Sequence, residues 1–292
     1  MSASAERIAA LVVTRDRRDL LRESLTAVLG QSRAPDHVLV VDNASSDGTA
    51  AMVASEFPSV ELVRMEVNGG GAGGFHVAVR AGVDQGFDWL WAMDDDTIPR
   101  PDALARLLAA GERAHGMGEP VMLASRVLWT DGRTHPMNLP NIDGRDPQRF
   151  IEGLAQGLPP LRWATFVSVL FRTDAVRRHR LPRKDFFLWS DDIDFTARIL
   201  RRERGYFVPD SVALHKTKTA HNPFQGGDRF YYAVRNSFWV MRGDALDPLE
   251  LIGHTMLLVG QSARYLSHER FRPHAFAILL RGLRDGVFKR AA

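Results

Sequence analysis

A run of mostly apolar and aromatic side chains, Phe87 to Met93, stops abruptly at three consecutive acids, Asp94, Asp95 and Asp96. This boundary narrows what a chain of 292 residues can fold into. The run is too short to cross a bilayer and reads as a buried strand, so the acids fall at its C-terminal tip. Three adjacent carboxylates repel one another, and burying them unpaired costs roughly several kcal/mol each. Either a divalent cation held by oxygen ligands neutralises them, or they form a solvated acidic turn ahead of the helix that Pro99 and Pro101 introduce.

The segments before this strand alternate. Ile8 to Val13 is a short apolar strand, and Arg17 to Leu29 carries Leu20, Leu21, Leu25, Val28 and Leu29 on helical spacing. His37 to Val41 is a second strand, Ser45 to Gly48 supplies capping chemistry for a helix over 49–56, and Val60 to Met65 is a third strand. A helical stretch reaching Asp84 then leads into the acidic strand. Strand and helix alternate four times in about a hundred residues, the pattern of a parallel sheet covered by helices. Ligands of such sheets bind beyond the carboxyl ends of the strands. Every polar signature of this half falls at such an end: Thr14 and Arg15, Asp42 and Asn43, Asn68 with its glycines, and the acidic triplet. Thr130 to Pro160 reads as a long irregular insertion, Phe166 to Phe171 as a strand, Asp192 to Arg204 as a helix and Tyr206 to Val208 as a strand.

Composition excludes several chemistries. There is no cysteine, which rules out disulfides, thiolate catalysis and zinc–sulfur sites. A net charge of +3 is too small to argue for nucleic acid. The first residues lack the basic and apolar regions of a signal peptide, and no apolar run is long enough to span a bilayer. The expectation is a cytoplasmic chain, peripheral at most to the inner face of a membrane.

Gly69 to Gly74 satisfies G-x-G-x-x-G after a strand and before a helix. A dinucleotide fingerprint normally occupies the first strand–helix turn and is followed by one ribose-binding acid, whereas two units precede this one and three acids follow. A glycine-rich loop that lets backbone approach a ligand phosphate fits better. Asp42 is either a ligand contact or the start of an Asx turn with Asn43 and Ser45. A second acidic set, Asp191, Asp192 and Asp194, sits between Phe186-Phe187-Leu188-Trp189 and Phe195. Apolar flanks raise a carboxylate's pKa toward that of a useful base, and the same residues cap the following helix. His215 is a candidate nitrogen ligand or an ordinary structural histidine, with His221 its competitor.

Taken in order, Val41-Asp42-Asn43 through Asp47-Gly48-Thr49, Asn68 through Phe75, the Asp94–Asp96 triplet, Asp191-Asp192 with Asp194-Phe195, then Gly205-Tyr206 and His215 resemble the family 2 glycosyltransferases of GT-A fold. The resemblance covers Ile8 to about Arg242. It implies an α/β catalytic domain over 1–242, with a nucleotide-sugar half to about 126 and an acceptor half from 127, and a helical appendage over 243–292. It further implies a nucleotide-sugar donor met by Thr14, Arg15, Asp42, Asn68, Gly70, Gly71 and Gly74, with Asp95 near the sugar. Asp94, Asp96 and His215 would hold Mn²⁺ or Mg²⁺ against the diphosphate. Asp192, with Asp191 in reserve, would be the base of an inverting transfer, and Trp189 would stack on an acceptor sugar. The run from Asn68 to Phe75 and that from Asp228 to Asn236 look most like bacterial galactofuranosyltransferases, and rhamnosyltransferases share much of the pattern. UDP-galactofuranose is therefore the first donor and dTDP-rhamnose the second, with a glycan or lipid-linked glycan as acceptor.

Two rivals stand beside this reading. One is a nucleotide-sugar-binding protein without catalysis. The other is a sugar nucleotidyltransferase, which should carry a basic glycine-rich loop near the N-terminus, where Leu11 to Arg18 has no glycine. From Leu251 onward apolar residues mix with Arg, Lys and His, as in an amphipathic basic helical pair on anionic lipid, a helical cap, or a homo-oligomer contact.

Overall fold

The structure is a computed structural model that describes residues 6–220 and 227–291; residues 1–5 and His221 lie outside the described residues. In chain order the elements are β1 (Ile8–Thr14), α1 (Arg18–Leu29), β2 (His37–Asp42), α2 (Thr49–Glu56), β3 (Glu61–Arg64), α3 (Gly70–Asp84), β4 (Trp89–Asp94) and β5 (Thr97–Pro99). Then come α4 (Ala103–Ala114), β6 (Met122–Leu128), β7 (Asn141–Ile142), α5 (Pro147–Ala155), β8 (Leu161–Trp163), β9 (Val169–Arg172) and α6 (Thr173–His179). The chain continues through α7 (Asp191–Leu200), β10 (Gly205–His215), α8 (Phe230–Arg242), α9 (Pro248–His268) and α10 (Pro273–Phe288).

Eight strands form one sheet in the order β3-β2-β1-β4-β9-β6-β10-β5. β1 is buried along its whole length, and its alternate residues face opposite layers. Ala10 and Val12 belong to one core layer with Leu21 and Leu25 of α1, Val53 of α2 and Leu107 of α4. Ala9, Leu11 and Val13 belong to the opposite layer with Phe75 of α3, Val176 of α6 and Phe195 of α7. The central strands are therefore nearly continuous apolar runs, as burial on both faces requires.

Register positions the site. β1 runs parallel to both β2 and β4, with Thr14 opposite Asp42 and Val13 opposite Asp94. The three strands thus end on one line. β5 then turns back antiparallel to β10 and sets Thr97 opposite His215. β9 lies antiparallel between β4 and β6, so the sheet is mixed rather than wholly parallel.

Several elements differ from the sequence reading. The insertion over 130–160 is not irregular throughout: it holds β7 and α5, and α5 starts with Asp146 capping Arg149 N and Pro147 in the first turn. That Asp-Pro pair is an ordinary start signal, obscured by the surrounding Gly, Asn and Asp. A strand, β5, precedes the helix expected after Pro101; three residues are too few for any period to register. α7 stops at Leu200, short of Arg204, and β10 runs to His215 rather than ending at Val208. The extension was masked by Pro209, which sits where the ladder with β6 is interrupted between Val208 and Val212.

α3 crosses β1 so closely that a Cβ on Gly74 would overlap Val13 Cγ1. Replacing Gly74 by Ala overpacks this contact and is expected to destabilise the protein by about 1–3 kcal/mol, read as a lower urea midpoint at unchanged slope.

Candidate functional site

At the strand ends Asp95 and Asp96 are buried and paired with Arg17 and His215, while Asp94 is partly buried. Asp95 accepts from Thr14 Oγ1 at 2.8 Å, Arg15 N at 3.3 Å and Arg17 Nη1 at 3.2 Å. Asp96 Oδ2 takes the same guanidinium nitrogen at 2.5 Å. Asp95 is only 4% exposed, and its bonds all run to the segment following β1. Thr14 and Asp95, both expected at the donor, are bonded to each other. Arg17 is the residue that the sequence reading passed over here.

Asp94, Asp96 and His215 bring one ligand atom each within 4.8 Å of the others, an arrangement that can hold a metal ion. His215 Nδ1 lies 2.8 Å from Asn138 Oδ1, while Asn138 Nδ2 donates to Thr165 Oγ1 at 2.8 Å. The amide therefore accepts from Nδ1–H, which leaves Nε2 turned toward the acids. Nε2 faces Asp96 Oδ1 at 3.0 Å, an ion pair when the imidazole is protonated, and that buried oxygen has no other partner. A cation that displaces the Nε2 proton would find this nitrogen and two carboxylates, Asp96 and Asp94, and a histidine oriented through its other nitrogen is the usual form of a metal ligand. Asn138 falls in the stretch read as irregular, and no spacing ties it to His215.

Protonation separates the three acids. Burial, then Asp96 and Asp95, push the Asp94 carboxyl well above the ordinary range. Burial lifts Asp95 to about 6 against the pull of Arg17. Burial would also raise Asp96, but His215 and Arg17 outweigh it and hold Asp96 below the ordinary value. A divalent ion would relieve the repulsion that adds to burial in raising Asp94. Asp96 also lines a cleft of about 520 Å³ with Arg17, Arg18, Lys216 and Lys218, and with the acids Asp16, Asp19 and Asp47.

Asp42 is wholly buried and already engaged. Its Oδ1 accepts from Ser45 N at 2.9 Å, forming the Asx turn, and its Oδ2 lies 3.3 Å from Arg64 Nε. Arg15 sends its side chain to Asp16. Asn43 ties the glycine run to the tip of β2, donating to Gly70 O at 2.7 Å and accepting from Gly69 N at 2.8 Å. Asn68 Oδ1 accepts from Gly70 N. Gly70, at φ 71°, leaves no room for a Cβ because the Phe187 carbonyl occupies the space, whereas Gly71 is open to 4 Å. Internal packing alone thus explains glycine at Gly70 and Gly74.

The second acidic set opens α7. Asp191 is buried; burial, then Asp192, push its carboxyl well above the ordinary range. Burial raises Asp192 to about 6 against backbone donors that include Ile193 N at 2.7 Å. Its charge adds to the rise at Asp94, so the two acids lie within electrostatic reach of each other. Asp194 is structural, ion-paired with Arg198 and Arg183 inside the protein. The loop before α7 holds Phe187, Trp189 and Ser190 at positive φ, a conformation that non-glycine residues rarely adopt. Asn236 Nδ2 secures it by donating to the carbonyls of Phe186, Leu188 and Trp189 at 2.8–3.0 Å, and Arg235 adds bonds to Asp185 and Phe186. Trp189 packs, half-buried, on the cluster made by α8, α9 and α10.

The profile of the family described as Glycosyl transferase family 2 matches residues 10–157. The chain is 30% identical over 216 residues to galactofuranosyltransferase GlfT1 of Mycolicibacterium smegmatis, covering 67% of this chain and 66% of that relative, so it spans just under two thirds of the relative's length. Among solved structures, TarS of S. aureus in complex with UDP superposes with a TM-score of 0.62 at 16% identity, over 96% of this chain and 80% of that one. The mannosyltransferase PcManGT of Pyrobaculum calidifontis, in complex with GDP-Man and Mn²⁺, gives 0.55 at 18% identity, over 97% and 81%. These likenesses establish the GT-A fold.

Asn138 orients His215 without touching the cation slot. Asn138→Ala is expected to weaken Mn²⁺ affinity about 10–100-fold, measured by calorimetric titration of Mn²⁺ alone.

Proposed function

The chain belongs to glycosyl transferase family 2, and from that premise we propose an inverting hexosyl transfer from a nucleoside-diphosphate sugar to a hydroxyl of a glycan or lipid-linked glycan. The observation that carries this reading is the pairing of two acidic sets within electrostatic reach of each other. One set holds a candidate cation site beside a cleft to which Arg17, Arg18, Lys216 and Lys218 contribute; the other is held partly dry at a helix start. UDP-galactofuranose is the preferred donor and dTDP-rhamnose the second, because 30% identity to a galactofuranosyltransferase supports the motifs that favour the former. That likeness also points to bacterial cell-wall polysaccharide synthesis. The proposed division has the donor half at 1–126, the acceptor half at 127–242 and the appendage at 243–292.

Asp94, Asp96 and His215 would hold Mn²⁺ or Mg²⁺, which when bound neutralises charge on the diphosphate leaving group. Arg17, Arg18, Lys216 and Lys218 flank the diphosphate. Asp42, Asn68 and the open backbone at Gly71 lie along the strand ends where a nucleoside binds in such sheets. Asp192 accepts the proton of the acceptor hydroxyl as its oxygen bonds to the anomeric carbon. The bond from that carbon to the diphosphate oxygen breaks on the opposite face, its electron pair leaving with the nucleoside diphosphate. Burial and Asp192 push the Asp191 carboxyl well above the ordinary range, which leaves Asp192 as the basic member of the pair. Trp189 offers an aromatic face for the acceptor sugar.

Calorimetric titration of UDP and dTDP, each with and without Mn²⁺, tests the donor side. UDP binding is expected to tighten at least about tenfold with Mn²⁺, and Asp96→Ala should lose that gain. A preference for dTDP would move the donor to rhamnose; binding of neither nucleotide would overturn the reading.

Turnover tests the base. Asp192→Asn is expected to lower kcat by about 10²–10⁴ with donor affinity unchanged. Because the base works deprotonated, the wild-type rate should fall about tenfold per pH unit below about 6. Normal turnover in the variant, or a rate flat through that range, would reject the assignment.

A further inference from the structure

α9 is turned inside out. Leu249, Ile252, Met256 and Val259 share one helical face by their spacing and are 80%, 55%, 69% and 64% exposed. Gly253, Gly260 and Ala263 continue that face, and no Asp, Glu, Lys or Arg occurs from Leu251 to Ala263. The opposite side buries Leu258 and Tyr265, the latter stacked on Phe230 of α8 at 4.0 Å. The helix nonetheless contains no span apolar enough to cross a membrane, and neither does any other described helix. α10 adds exposed Leu280 and Phe288. At the turn between the two helices Arg270 and Phe271 both take left-handed backbone, at φ 53° and 54°, which leaves Phe271 61% exposed between Arg270 and Arg272.

The charge around these faces selects the occupant. From Leu251 to the end there are seven Arg and Lys and two acids, Glu269 and Asp285. Asp285 is buried and ion-paired with Arg284 and Lys289, so it answers no outside partner. A two-fold pairing of this face with a second copy would set arginines against arginines with few counter-charges. An anionic lipid surface supplies phosphate for the arginines and acyl chains for the apolar stripe.

We propose that α9, α10 and the turn joining them dock on an anionic lipid bilayer as interfacial helices. The same two helices pack on α8, whose Arg235 and Asn236 hold the loop ahead of Asp192. Docking sets the acceptor side one helix layer from the lipid, where a lipid-linked acceptor resides. The docking itself needs no substrate and stands apart from the transferase reading.

Flotation of the full chain with vesicles of phosphatidylcholine, or of equal parts phosphatidylcholine and phosphatidylglycerol, tests this. The protein is expected to float with the anionic vesicles only, and less so as salt rises. Arg270→Ala/Arg272→Ala should weaken binding about fivefold for each arginine removed. Ile252→Glu/Met256→Glu should weaken it more than about tenfold. All four positions are exposed, so unchanged circular dichroism and UDP binding are expected of both variants. Three outcomes overturn the proposal: no flotation of the wild type, equal flotation with neutral vesicles, or variants that float as the wild type does. A wild-type dimer that Ile252→Glu/Met256→Glu splits, without vesicle binding, would assign the face to a second copy.

Discussion

Repulsion among three adjacent carboxylates organises the molecule. A strand buried on both faces cannot end in Asp94, Asp95 and Asp96 unless positive charge is delivered to its tip. The fold brings it from two directions. Arg17 arrives with the segment after β1, and His215 arrives through β5, which turns back immediately after the triplet and pairs with the end of β10. Lys216 N donates to Asp96 O at 2.8 Å and locks that juncture. The backbone ladder itself therefore builds the cation slot. At this juncture one oxygen of Asp96 faces one nitrogen of His215.

The second acidic set solves the same problem differently. Asp191 and Asp192 sit at the start of a helix, where the helix dipole and backbone N–H groups favour negative charge, and desolvation rather than a counter-ion sets their protonation. Asp194, one turn in, has the ion pairs that the other two lack. Three acids of one short motif thus sit in two kinds of surroundings: two whose carboxyls burial raises, and one salt-bridged strut. The arrangement depends on a loop in unfavourable backbone geometry, and Asn236 and Arg235 supply carbonyl hydrogen bonds that offset it.

The alternation over the first hundred residues was readable because apolar strands and amphipathic helices have periods that survive any tertiary context. The acidic clusters were readable because like charges in sequence remain neighbours in space. What escaped was whatever the long-range topology creates. Asn138 reaches His215 only because the 130–160 segment folds back across the end of β10, and β9 enters the sheet antiparallel, which its apolar run does not encode. Asp42 was left open between turn former and ligand contact; its Asx turn is present, with Arg64 added from the neighbouring strand. The inverted α9 was legible only as apolar residues mixed with basic ones, since sequence does not say which side of a helix its neighbours cover.

The glycine run gains a second meaning from its neighbours. Its most constrained member, Gly70, lies against the carbonyl of Phe187, which also accepts from Ala72 N at 3.3 Å. Phe187 belongs to the loop that delivers Asp192, and Asn236 grips the residues on either side of it. Asn43, at the tip of β2, binds the carbonyl of Gly70 from the other side. A continuous path of hydrogen bonds and contact therefore joins the ends of the central strands to the helix start that carries Asp192. Glycine at that position is demanded by this close approach, so a side chain there would displace the loop ahead of Asp192. The geometry of the glycine run and the placement of that acid are thus one structural requirement.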